Sequence, residues 1–180
     1  MKKDLLLILS IAAFIIASNL GVILAADYPD PETGTLAPTF SLLTVDGERV
    51  YLRDYCGELR QPWKEREKCP VILSFWNSTC QPCKDEIREL HRIAEEYGDK
   101  VKILLIAAGE DRETVRNCVT ERGYTLETLV DQYLIVSGKY GNPQVVPKLA
   151  LIDCEGIIRY FKKGYEEKNI KELEELIRGL

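Results

Sequence analysis

The chain has 180 residues, 46 % of them apolar and 29 % charged, with a formal net charge of −5, six cysteines and one histidine. That is enough apolar sequence for one ordinary domain core and too much for a chain disordered as a whole. A moderately acidic chain without a basic run excludes nucleic acid as a partner.

Lys2 and Lys3 precede an uncharged, mostly apolar run from Leu5 to Ala26. Residues 1–26 read as a signal peptide or membrane anchor. At about 1.5 Å per residue the run can span a hydrocarbon core of about 30 Å, and Leu24-Ala25-Ala26 offers a small-residue cleavage site. Both readings leave the lysines inside and export the rest of the chain to the periplasm or the outer face of the cytoplasmic membrane. Membrane contact is through residues 5–26 if the run is kept. Without Lys2, Lys3 and Asp4 the net charge moves from −5 to −6.

Residues 27–36, rich in Pro, Asp, Gly and Thr, read as a linker, with a single domain over 37–180. Strands are expected at Phe40–Val45 and Glu48–Leu52, joined by Asp46-Gly47 into an N-terminal β-hairpin. From Asp54 to Pro70 the sequence is charged and irregular, and Cys56 and Cys69 bracket an inserted loop. Val71–Trp76 is a short apolar run of buried-strand type. The helix after it has a single apolar face at Ile87, Leu90, Ala94 and Tyr97, and Gly98 ends it. Val101–Ala107 is a second buried strand, and Asp111 caps a helix running to Arg122. This strand, helix, strand, helix order requires parallel pairing. Thr128–Val130 reads as an edge piece and Gln132–Tyr140 as a short helix. Lys148–Ile152 and Ile157–Phe161 flank a turn short enough to make them antiparallel. The last helix takes Asn169 as its cap and buries Ile170, Leu173 and Ile177.

The chemistry is concentrated in Phe75–Cys83, F-W-N-S-T-C-Q-P-C, where the buried strand hands over to a helix. Unpaired N–H groups at a helix N-terminus favour thiolate over thiol, which makes Cys80 the attacking sulfur. Cys83, one turn on, can close a disulfide with it and so resolve a mixed disulfide internally. A structural zinc site needs about four ligands. The only histidine, His91, lies more than two helical turns beyond Cys83. No cofactor is expected beyond the Cys80/Cys83 disulfide itself. The other four cysteines, Cys56, Cys69, Cys118 and Cys154, allow three pairings. A Cys56–Cys69 bridge would restrain its loop by about 3 kcal/mol. Cys118 and Cys154 form the weaker second candidate pair.

The motifs A-P-T-F-S-L at Ala37–Leu42, D-G-E-R-V at Asp46–Val50, F-W-N-S-T-C-Q-P-C-K-D-E at Phe75–Glu86 and V-P-K-L-A-L-I-D-C-E-G at Val146–Gly156 together resemble the exported TlpA/ResA family of thiol-disulfide oxidoreductases. The resemblance covers nearly all of 37–178. It implies an α/β, thioredoxin-like fold, a central mixed β-sheet flanked by helices, with the hairpin and the Cys-bracketed insertion as additions. It implies that Pro147 is a cis-proline facing the disulfide, and that Val146, Pro147 and Trp76 form the substrate-binding side. It also makes Glu86 the carboxylate that adjusts the proton affinity of the cysteines, the more so because Ser74 stands where thioredoxin has a buried aspartate. The implied partners are protein thiols and disulfides, together with a membrane electron carrier of the thiol-disulfide type. Haem-attachment cysteines of apocytochrome c and copper-site cysteines are the implied clients. Three rivals stay open on the residues, the plainest being a redox-inert binding module whose Cys80–Cys83 disulfide stays closed. A peroxiredoxin shares the A-P-x-F opening, although Ser78 and Thr79 do not supply its P-x-x-x-T-x-x-C setting. A copper metallochaperone could use the two thiolates, but usually adds a distant histidine.

Overall fold

A computed structural model describes residues 28–61 and 67–180. The expected signal or anchor segment, 1–26, lies outside these residues. Among the described residues no helix is long and apolar enough to cross a membrane.

Seven strands, β1 (Ser41–Thr44), β2 (Arg49–Tyr51), β3 (Val71–Trp76), β4 (Lys102–Ala108), β5 (Glu127–Asp131), β6 (Lys148–Ile152) and β7 (Ile158–Lys163), form one sheet in the order β2-β1-β5-β4-β3-β6-β7. The described helices are α1 (Gln81–Tyr97), α2 (Arg112–Arg122), α3 (Ile135–Lys139) and α4 (Glu167–Arg178). The inner pairs β3·β4 and β4·β5 are parallel, each linked by a helical crossover, while β1·β5, β3·β6 and β6·β7 are antiparallel. This is the mixed sheet flanked by helices that the resemblance implies.

Strand β3 is buried along its whole length because both faces of the sheet are covered. Its period of two sends Ile72 and Trp76 to the core shared with α1 and α4, through Ile87, Leu90, Leu173 and Ile177. Val71, Leu73 and Phe75 face the other core, with Phe40, Leu52, Cys56 and Tyr140. Ser74 shares the α1 side with Ile72 and Trp76. Helix α2 starts where Asp111 accepts the N–H groups of Glu113 and Thr114, and Gly123, in the left-handed region, stops it.

Three expectations are corrected. The piece at Thr128–Val130 is no edge: β5 sits between β1 and β4, and its pairings span the chain and leave no local trace. Asn169 does not cap α4, which begins at Glu167, and its buried amide donates to the Gly164 carbonyl instead. The stretch read as a linker is docked from Tyr28 onward. Gly34 and Ala37 donate to the carbonyls of Ile158 and Gly156, Thr35 accepts from Ile158, and Asp30 pairs with Lys163 at 2.6 Å.

Candidate active site

Asn77, Ser78 and Thr79 carry the chain from β3 to Cys80, the N-cap residue of α1. Cys80 and Cys83 are joined in a disulfide with their Cα atoms 5.3 Å apart. The Cys80 sulfur accepts the N–H of Cys83 at 3.2 Å, taking the place that a serine or aspartate oxygen holds in an ordinary cap. A thiolate at this point gains more from that N–H and from the open helix end than a neutral thiol does. Pro82 falls in the first turn, where its missing N–H has no partner to lose. Cys80 is 9 % exposed and Cys83 1 %, so a disulfide arriving from outside meets Cys80.

The Val146–Pro147 peptide bond is cis. Lys148 is paired with Phe75 in the antiparallel β3·β6 register. Continued one step, that register sets Pro147 beside Trp76, and a second step sets Val146 beside Asn77, at the entrance to the cysteine turn. Val146 is half-buried, with its backbone at the end of a strand. Trp76 is placed differently from the expectation. It is fully buried, edge-on to Tyr124 with ring centroids 5.6 Å apart, and so supports the site from below without reaching a substrate.

Glu86 is buried on the α1 face that also buries Cys83, one turn earlier. Its carboxylate accepts a hydrogen bond from the Ser74 hydroxyl at 2.6 Å. Burial pushes the Glu86 carboxyl up to about 7, and the Ser74 bond offsets only part of that. The side chain at position 74 is thus short, but the space around it holds an acid delivered from the helix. This acid can change protonation near neutral pH, one helical turn away from Cys83.

Two supports were not foreseen. Ser78 is clamped: its N–H and hydroxyl both donate to the Glu110 carboxylate, the first at 2.9 Å, and its carbonyl accepts from Arg122 at 2.5 Å. Lys148, fully buried, donates to the carbonyls of Ser137 and Asn142 at 2.7 and 3.1 Å and lies over the Phe75 ring. Burial lowers its ammonium to about 8, with Asp131 opposing the shift. It therefore braces the segment that leads into Val146-Pro147. Lys148→Met should leave both carbonyls without that donor and lower stability by about 2–4 kcal/mol, read as an earlier urea midpoint at pH 7.

The remaining candidates separate into two places. Cys56, Cys69, Cys118 and Cys154 are thiols in the structure, so the expected Cys56–Cys69 bridge is not formed. The Cys118–Cys154 pairing is overturned by position: Cys118 is surrounded by Arg122, Glu110 and Lys84, whereas Cys154 lies with Cys56 and Cys69. His91 contacts Thr125 through Nδ1 at 3.3 Å, and burial lowers its pKa. It takes no part in the site.

Residues 33–161 match the AhpC/TSA family. The thiol-disulfide oxidoreductase ResA of Bacillus anthracis is 29 % identical over 161 residues, covering 87 % of this chain and 86 % of that protein. ResA of Halalkalibacterium halodurans is 28 % identical, covering 99 % and 94 %. Among solved structures, a protein disulfide isomerase homologue from Bacteroides thetaiotaomicron superposes with a TM-score of 0.71 at 24 % identity, over 82 % of this chain and 88 % of the other. The exposed lipoprotein thioredoxin Etrx1 of Streptococcus pneumoniae gives 0.64 at 26 % identity, over 79 % and 100 %. The sheet order and the cysteine turn are therefore those of a thioredoxin-like fold.

Proposed function

Because this chain belongs to the AhpC/TSA family and is a thiol-disulfide oxidoreductase of the ResA type, we propose that it reduces disulfides of exported proteins through Cys80 and Cys83. The observation that carries the reading is the Cys80 sulfur capping α1, more exposed than Cys83 and hydrogen-bonded to the Cys83 N–H.

In the reduced enzyme the Cys80 thiolate attacks one sulfur of a substrate disulfide. The substrate S–S bond breaks, a mixed disulfide forms, and the first substrate sulfur leaves as thiolate and takes a proton. Cys83, losing its proton to the Glu86 carboxylate or to water, then attacks Cys80. The mixed disulfide breaks and the second substrate thiol is released. Two electrons have passed to the substrate and the enzyme is left as the Cys80–Cys83 disulfide, the form seen in the structure. Val146 and Pro147 form the wall along which a substrate strand is held during exchange. The cycle closes when a membrane-bound dithiol carrier returns two electrons.

Export is supported by Lys2, Lys3 and the apolar run to Ala26, which favour a domain outside the cytoplasmic membrane. Haem-attachment cysteines of apocytochromes and cysteines of copper sites are the proposed clients, since both must be thiols when their cofactor arrives.

Equilibration of the full chain against glutathione buffers tests the reading. The Cys80/Cys83 pair should titrate as a single two-electron couple and exchange with an oxidised protein substrate. Failure to exchange with any thiol buffer refutes it. So does oxidation of Cys80 by hydrogen peroxide far faster than an ordinary thiol, with no action on disulfides.

A further inference from the structure

At the opposite end of the sheet three cysteines converge. Cys69 lies two residues before Val71, the first residue of β3, and Cys154 two residues after Ile152, the last of β6. Val71 and Ile152 are antiparallel partners. Continuing that register two residues beyond the strands sets Cys69 directly against Cys154. The two-residue step also keeps both side chains on the face of Val71 and Ile152, the face that carries Cys56. Directly opposed antiparallel residues have Cα atoms about 4.5–5.5 Å apart, within the range a disulfide spans.

The surrounding bonds hold this alignment beyond the strands. The Cys69 N–H donates to the Tyr55 carbonyl at 3.0 Å, and the Gly57 N–H donates to the Cys154 carbonyl at 2.9 Å, so the turn containing Cys56 is tied to both. Lys68 pairs with Glu155 at 3.0 Å, joining the residues next to the two cysteines. Cys69 and Cys154 are partly exposed and line one surface cleft with Pro70 and Tyr97. Cys56 is buried, and its thiol lies 3.9 Å from the Leu52 carbonyl. Burial raises all three thiols and takes Cys56, the one enclosed in the core, up to about 12, so the two partly exposed cysteines are the ones a small disulfide can meet.

We propose that Cys69 and Cys154 form a second, reversible disulfide site at the pole opposite Cys80 and Cys83, and that it exchanges with low-molecular-weight disulfides entering the adjoining cleft. One thiolate of the pair attacks the small disulfide RSSR, whose S–S bond breaks to release RS⁻ and leave a Cys–S–S–R mixed disulfide. The second cysteine attacks its partner's sulfur and releases the other RS⁻. Both leaving groups take the protons of the two thiols. The cysteine pair is oxidised by two electrons and RSSR is reduced to two RSH. Reduced small thiol in excess drives the same steps backward. The bridge ties the start of β3, and with it the end of the inserted segment, to the β6–β7 turn.

The test uses the full chain, fully reduced, freed of reductant and exposed to oxidised glutathione, then alkylated and digested for mass spectrometry. Free thiols should fall from six to two, with Cys69 cross-linked to Cys154, Cys80 to Cys83, and Cys56 and Cys118 alkylated only after unfolding. Excess reduced glutathione should return the Cys69–Cys154 peptide to two free peptides. Four thiols remaining, a Cys69–Cys56 cross-link, or a bridge that reduced glutathione does not reopen each overturns the proposal. The Cys80–Cys83 peptide in the same digest reports the catalytic pair separately.

Discussion

Replacing Cys80 with serine should abolish disulfide reduction by the full chain, lowering the rate of thiol release from an oxidised protein substrate by at least about a thousandfold. The serine hydroxyl can still cap α1, so the fold should remain. What is lost is a sulfur able to form and break a bond to another sulfur. Cys83 cannot substitute, because at 1 % exposure it lies behind Cys80 and an incoming disulfide does not reach it. Cys83→Ser should behave differently. Cys80 still attacks, but nothing resolves the product, so one mixed disulfide accumulates per enzyme and is visible as an added mass that reductant removes. If Cys80→Ser keeps substantial activity, or Cys83→Ser turns over normally, the assignment of attacking and resolving sulfurs fails.

Glu86→Gln should change both stability and its dependence on pH. A glutamate is ordinarily protonated only below about 4.5, whereas burial raises Glu86 to about 7 in the folded disulfide form. The folded state therefore holds a proton that the unfolded state releases. The stability this contributes is complete below about pH 4.5 and is lost as pH rises through about 7, a loss of about 3 kcal/mol once both states are ionised. Glutamine keeps an acceptor for the Ser74 hydroxyl and carries no charge. The variant should gain about 2 kcal/mol over the native protein at pH 8, gain nothing at pH 4, and show a flatter profile in urea titrations. Turnover should move the other way, slowing about ten- to a hundredfold at pH 7 as the resolving step loses its proton acceptor. The native pH–rate inflection near 7 should vanish with it. A Glu86→Gln enzyme that keeps the native pH–rate profile would show that Glu86 is only a buried residue of the helix face.

The parts of this protein that were legible in its sequence are those in which cause and effect are close along the chain. Val71–Trp76 is a strand at its expected limits because six consecutive apolar or small residues suit burial on both faces. Asp111 and Gly123 announce the two ends of α2 through caps that act within a few residues. The cysteine turn was legible for the same reason, since Cys80, Pro82 and Cys83 make their chemistry inside one helical turn. What the residues did not announce depends on crossovers. Ser78 meets Glu110 and Arg122 only because β4 and α2 bring back residues 32 and 44 positions away. Glu110 and Arg122 look in sequence like ordinary charges flanking a helix. Lys148 opens a strand of apolar neighbours, and nothing local shows that its ammonium is enclosed by the Ser137 and Asn142 carbonyls. The alignment of Cys69 with Cys154 was hidden similarly: the cysteines nearest in sequence suggest a bridge across the loop, whereas the β3·β6 register sets opposite each other two cysteines that lie just beyond strands far apart in sequence.

The docked segment before β1 has a consequence for reach. Asp30 lies against Gly141 and is bonded to Lys163, whose partner in β6 is Lys148, the residue after Pro147. The chain thus enters the domain at the pole of the catalytic disulfide, then runs along β7 to the far pole before β1 begins. Asp30 follows Ala26 by only four positions, an extended length of about 14 Å. With residues 5–26 in a bilayer, so short a tether would hold Cys80 close to the lipid surface and give it a high effective concentration toward any membrane-bound dithiol. Electron delivery would then depend on tether length more than on affinity. Lengthening the chain between Ala26 and Asp30 by a flexible insert would dilute that encounter without altering a single contact in the site.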